Sequence, residues 1–142
     1  MKIIASRYHD FCMGHRVVGH EGKCKNFHGH NYRFTFECEC LTVGGLDVLG
    51  RVIDFSVIKS TLCQWLEENW DHKMMLWDQD PYVDAMKEMD NEVFSVPFNP
   101  TAENIGKYFL EEIAPELLLD TGVSLTRIQV EETRKCSAIV EL

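Results

Sequence analysis

The chain has 142 residues and a mass of 16.5 kDa, with 45% hydrophobic residues, which is enough for one domain (residues 1–142) with a core and too little for two. A formal net charge of −9 and a pI near 5.1 argue against non-specific binding to nucleic acid or to anionic membranes, both of which need a surplus of Lys and Arg. An anionic small substrate would need a local basic pocket, which Arg16, Lys23, Lys25, Arg33, Lys73, Arg134 and Lys135 could supply. Six cysteines, at positions 12, 24, 38, 40, 63 and 136, form no CxxC pair and no disulfide-scaffold density. With neither a signal peptide nor a membrane span expected, a reducing cytoplasm fits best.

In chain order, Lys2 to Tyr8 reads as a strand that continues extended through His15, followed by a loop from Gly19 to Lys25. Asn31 to Leu41 is the clearest strand: Tyr32, Phe34, Phe36, Cys38 and Cys40 alternate with polar residues, so one face is apolar and the other wet. Cys38 and Cys40 lie on that apolar face, as buried small hydrophobes rather than a redox pair. Thr42 to Asp47 is expected to turn and Val48 to Asp54 to return as a strand. Asp54 stands at an N-cap position, and the apolar spacing from Ser56 predicts a helix to about Asn69. Residues Trp70 to Met89 are irregular in pattern, with a turn at Asp80-Pro81, and Glu92 to Val96 reads as a short strand. Asn99-Pro100-Thr101 offers capping side chains to a second amphipathic helix through Ile105, Phe109 and Ile113, which Pro115 ends or bends. Leu125 to Glu132 and Cys136 to Leu142 are two further strands. The expected fold is α+β, an antiparallel four-stranded sheet with two helices on one face, its open edges available for subunit contact.

The chemistry concentrates in KCKNFHGHNY, Lys23 to Tyr32, which holds a thiol and two imidazoles within seven residues. In an extended backbone His28 and His30 point to the same side, about 7 Å apart, so both can converge on one ion. Zinc suits such donors. His15 shares strand parity with Phe11 and Met13, so it emerges on an apolar face, and a neighbouring strand carrying it would complete a three-histidine set. Cys24 leaves two possibilities open: as fourth ligand it would close a structural site, whereas beside the metal it would leave an exchangeable position for catalysis.

Glu132 takes the same side of its strand as Ile128 and Val130, and a carboxylate pointing inward needs a donor or a cation. Asp71 beside His72 can set the imidazole tautomer and stabilise its cation, a candidate for proton transfer. His9 and His20 have no such company and read as structural or exposed.

The segments FCMGH, KCKNFHGHNY, VIDFSVIK, WDHKMM, NPTAEN and VEET run along most of the chain. In that order they resemble the 6-pyruvoyl-tetrahydropterin and 6-carboxy-tetrahydropterin synthase family. The three residues between Cys24 and His28 look like the bacterial carboxy-type enzymes. The resemblance implies a tunnelling fold in which sheets of several subunits join into a barrel, commonly a hexamer with active sites between subunits. It implies Zn2+ held by His15, His28 and His30, Cys24 as general base, and Asp71 and His72 reaching in from a neighbouring subunit. Glu132 would anchor the pterin ring, with Thr101 to Glu103 helping to line its pocket. The implied reaction converts 7,8-dihydroneopterin triphosphate to 6-carboxy-5,6,7,8-tetrahydropterin, releasing acetaldehyde and triphosphate, on the way to queuosine and other 7-deazapurines. The chain departs from the family pattern at Cys12-Met13-Gly14, where small residues are usual, and in the charged turn of VEETRKCSA. Two other readings are a pyruvoyl-type synthase, which eliminates triphosphate alone, and a non-catalytic zinc-binding assembly module with Cys24 as fourth ligand.

Overall fold

A computed structural model of the chain describes residues 1–42 and 44–142. Its frame is the antiparallel pair β1 (Ala5–His15) and β2 (His28–Cys40), in which Phe11 faces Tyr32, Met13 faces His30 and His15 faces His28. The alternation expected of β2 is present: Tyr32, Phe34, Phe36 and Cys38 are fully buried while their neighbours are not. Burial pushes the Cys38 thiol up to about 12, in keeping with a small core hydrophobe. β5 (Val123–Thr133) adds antiparallel to β2, and β6 (Cys136–Glu141) antiparallel to β5.

The sheet is larger than the expected four antiparallel strands: it has six, in the order β4-β3-β1-β2-β5-β6, and is mixed. β3 (Lys73–Trp77) runs parallel to β1, and β4 (Val93–Val96) parallel to β3. β3 escapes a period-two reading because the consecutive residues Met75 and Leu76 are both fully buried, so the strand is covered on both faces. The adjoining helix α3 (Val83–Met89) escapes for the opposite reason: it is seven residues long and none of them is buried, so Val83, Met86 and Met89 make no packed stripe. Val48 to Asp54 is not a strand. Asp47 accepts backbone N–H groups from Leu49 and Arg51, both at 2.9 Å, and binds the Arg51 guanidinium, so local side-chain bonds replace a ladder. The turn expected from Thr42 to Asp47 includes Val43, which lies outside the described residues.

Asp54 caps the first helix through Ser56 N–H, and the helix runs as α1 (Phe55–Ile58), a π turn (Lys59–Cys63) and α2 (Gln64–Asn69). The second is capped by Thr101 and runs as α4 (Ala102–Tyr108), a π turn (Phe109–Ile113) and α5 (Ala114–Leu117). Pro115 therefore does not end it; a widened turn precedes the residue that lacks an N–H. Both helices cover the face of Tyr32, Phe34 and Phe36, and Phe109 stacks on Phe36 with ring centroids 5.3 Å apart. Gly106 lets α4 lie close on the sheet, since a Cβ there would stand 3.0 Å from Val140 and 3.2 Å from Val130. That approach brings the start of α4 beside the end of β5. Among the described residues no helix is long and apolar enough to cross a membrane.

Candidate metal centre

The β1–β2 register puts His15, His28 and His30 on the helix-covered face at one end of the sheet, where one nitrogen from each lies within 4.8 Å of the others. His15 is fully buried, and its Nδ1 donates to the Pro100 carbonyl at 2.7 Å; His28 Nδ1 donates to the Asn26 carbonyl at 2.6 Å. A carbonyl only accepts, so in both neutral rings the proton is on Nδ1 and Nε2 presents a lone pair. These two Nε2 atoms are 3.1 Å apart, and His30 Nε2 is buried with no partner. Lone pairs facing one another at this distance repel, and a cation between them removes the repulsion. Burial and the neighbouring imidazoles push the His15 pKa down to about 4, and burial followed by His28 lowers that of His30, which keeps both rings neutral as metal ligands must be. The residues present therefore fit a borderline divalent ion such as Zn2+.

Glu132 stands at the rim of the trio, with carboxylate oxygens 3.5 Å from His30 Nε2 and 4.0 Å from His15 Nε2. It is an ordered strand residue, and the β5–β6 register shifts between Glu131 and Thr133, a bulge of the kind that re-aims a side chain. Burial raises its pKa, opposed by His28. Cys24, Thr101, Glu103 and Glu132 together line one cavity of about 250 Å3. Cys24 lies in the short 3-10 turn Lys23–Lys25, held by Val17 N–H donating to its carbonyl at 2.7 Å, and is outside the histidine donor group.

Asp71 and His72 are not brought to this cavity within the chain. They lie on the other face of the sheet, with Cys12 and Asn31, where His72 is 78% exposed. Asp71 accepts from Cys12 N–H at 3.0 Å and from His72 Nδ1 at 2.8 Å; although burial opposes it, these bonds hold the carboxyl below the usual aspartate range. His72 has φ of 60°, a left-handed conformation uncommon outside glycine. Cys12 faces away from His15, as its parity requires.

Sequence reasoning missed the residues that build the centre from behind. Asn99 exchanges two hydrogen bonds of 2.9 Å with the Val18 backbone, Pro100 supplies the carbonyl that orients His15, and Asn104 Nδ2 donates to Asn99 O at 3.0 Å. Their only sequence signal is the Asn-Pro-Thr cap itself. Tyr32, expected as plain core, has a buried hydroxyl with no partner. His20, read as structural or exposed, lies on the wall of the Cys24 cavity.

The model of the family described as 6-pyruvoyl tetrahydropterin synthase matches residues 4–142. The 6-carboxy-5,6,7,8-tetrahydropterin synthase of Rickettsia typhi is 35% identical over 138 residues, covering 94% of this chain and 96% of that protein. The protein of the same name from Haemophilus influenzae is 29% identical over 133 residues, 90% of this chain and 91% of that one. Among solved structures, 6-pyruvoyl tetrahydropterin synthase of Caenorhabditis elegans aligns with a TM-score of 0.70 at 22% identity, covering 100% of this chain and 96% of that one. An uncharacterized protein from Wolinella succinogenes aligns with a TM-score of 0.85 at 21% identity over 99% and 98% of the two chains. With the family match running over residues 4–142 and a relative 35% identical over 94% of its length, the chain belongs to the 6-pyruvoyl tetrahydropterin synthase family.

Proposed function

We propose that this pterin synthase is the carboxy type, a zinc-dependent carbon–carbon lyase. It would convert 7,8-dihydroneopterin triphosphate and one molecule of water to 6-carboxy-5,6,7,8-tetrahydropterin, acetaldehyde and triphosphate. The observation that carries the reading is the opposition of two imidazole lone pairs at 3.1 Å beside a cavity holding a free thiol and a half-buried carboxylate. The names of the curated relatives support the carboxy product.

His15, His28 and His30 would hold the ion, which as a Lewis acid would supply polarisation of the substrate's side-chain oxygens. Glu132 accepts hydrogen bonds from ring N–H groups of the pterin and so fixes the ring against the cavity wall, helped by Thr101 and Glu103. Cys24 as thiolate removes a carbon-bound proton at the side chain. Asp71 keeps the proton of neutral His72 on Nδ1, which leaves Nε2 free to exchange a proton with the thiol or the substrate. Because Asp71 and His72 stand on the opposite face of the sheet, they serve the cavity of a neighbouring copy in a homo-oligomer, a hexamer by resemblance. The left-handed, exposed placement of His72 supports a role outside its own chain. The reading places the protein in the cytoplasm, in the route to queuosine and other 7-deazapurines.

Incubation of purified protein with dihydroneopterin triphosphate tests this: acetaldehyde and a 6-carboxy product are expected. A 6-pyruvoyl product with loss of triphosphate alone would overturn the carboxy assignment in favour of the pyruvoyl-type reaction.

A further inference from the structure

In a chain of net charge −9, the segment from His15 to His28 carries Arg16, Lys23 and Lys25 against a single carboxylate, Glu21. The fold turns this segment into a built cavity. Arg16 Nε and Nη2 donate to the two oxygens of Asp80 at 2.6 and 2.7 Å, and Nη1 donates to the Lys25 carbonyl at 3.2 Å. Asp80 is only 2% exposed and also accepts Tyr82 N–H at 2.8 Å. The guanidinium lies between two rings, its carbon 5.1 Å from the Phe27 centroid and 4.6 Å from that of Tyr82. One planar cation thus locks the end of β1, the Cys24 turn and the Asp80-Pro81-Tyr82 turn to one another.

Those bonds use three of the five guanidinium N–H groups, which leaves two. Arg16 also lines a cavity of about 560 Å3 whose other walls include His20, Lys25, Phe27 and Tyr82 and, among the described residues, no carboxylate. The Asp80 charge is buried and neutralised by Arg16, so it does not repel an anion there. Gly22 N–H donates to His20 Nδ1 at 2.8 Å, so the neutral ring carries its proton on Nε2 as a further donor. His20 is also a wall residue of the Cys24–Glu132 cavity, so the two spaces adjoin across it.

We infer that this basic cavity is a polyphosphate subsite. The substrate's triphosphate lies against Lys25, His20 and the free Arg16 N–H groups while its pterin end occupies the Cys24–Glu132 cavity. The inference rests on the proposed reaction for the identity of the substrate, but the anion site has a readout of its own. In the zinc-loaded protein, Lys25→Met is expected to raise KM for dihydroneopterin triphosphate and the calorimetric Kd for inorganic tripolyphosphate, each about tenfold, the scale of one lost charge-assisted contact. Binding of dihydroneopterin, which has no phosphate, and zinc content stay unchanged. Lys59→Met, on the exposed side of the first helix, serves as the control. Unchanged KM and Kd in a folded Lys25→Met protein, or an equal loss in Lys59→Met, overturns the subsite. If the wild-type protein does not turn the pterin over while tripolyphosphate binding still depends on Lys25, the proposed reaction falls and the subsite stands.

Discussion

The two faces of the sheet at the β1–β2 end differ in how complete their chemistry is. On the helix-covered face a single chain supplies three convergent imidazoles, the Glu132 carboxylate and the Cys24 thiol, with Pro100 and Asn26 carbonyls fixing two of the rings from behind. On the open face, Asp71 orients His72 as firmly, yet the imidazole is largely exposed to solvent and stands outside the Cys24 cavity. A buried metal-type donor set can be assembled by one register of two strands. On the proposed reading, the exposed, left-handed His72 acts once the surface of a neighbouring copy closes over it.

The largest effect expected comes from breaking the buried half. His28→Ala removes one of the three donors, and elemental analysis should find the metal lost together with all turnover; stoichiometric zinc in that variant would remove the trio from the mechanism. Cys24→Ala separates chemistry from metal binding: zinc should remain while kcat falls about 10²- to 10⁴-fold, the range for a lost acid–base group. Zinc loss instead would make the sulfur a ligand and the site a closed structural one.

The comparison itself is sharpened by mixing. His72→Ala and Cys24→Ala proteins, each strongly impaired, should recover activity when unfolded and refolded together, because random assortment leaves about a quarter of inter-subunit sites with both groups. No recovery would place His72 and Cys24 in service of the same chain.

A smaller effect concerns pH. The His15 pKa is driven from 6.5 to about 4 by burial, so between those values the unfolded chain binds a proton that the folded chain refuses. Stability of the metal-free protein is therefore full above about 6.5 and is lost as pH falls toward 4, a slope that denaturation midpoints of chelator-treated protein should follow and that His15→Asn should flatten. Least of all, Thr101→Ala removes the cap bond to Asn104 N–H, with an expected loss of about 1 kcal/mol of stability in denaturant titration.

Much of the site is legible in the residues alone because its spacing is short. His28 and His30 converge through strand alternation, and His15 joins them on the parity of Phe11 and Met13. Cys24, Thr101, Glu103 and Glu132, the first and last of them more than a hundred positions apart, line one cavity. Local pattern failed where burial does not alternate, in β3 covered on both faces, and where nothing is buried, in α3. It also failed at Val48 to Asp54, where apolar residues suggested a strand but Asp47 captured the backbone.

The chain's order of residues determined by itself that Tyr32 to Cys38 would bury one face, that Asp54 and Thr101 would start helices, and that imidazoles would gather at one strand end. These follow from periodicity and capping, which act over a few residues. Only the tertiary structure decided that β3 and β4 would extend the sheet in parallel, and that a proline carbonyl 85 positions away would set the His15 tautomer. It alone decided that Arg16 and Asp80 would lock the Cys24 turn against two aromatic rings. Such contacts depend on which distant segments the core draws together, and no local pattern of residues encodes that choice.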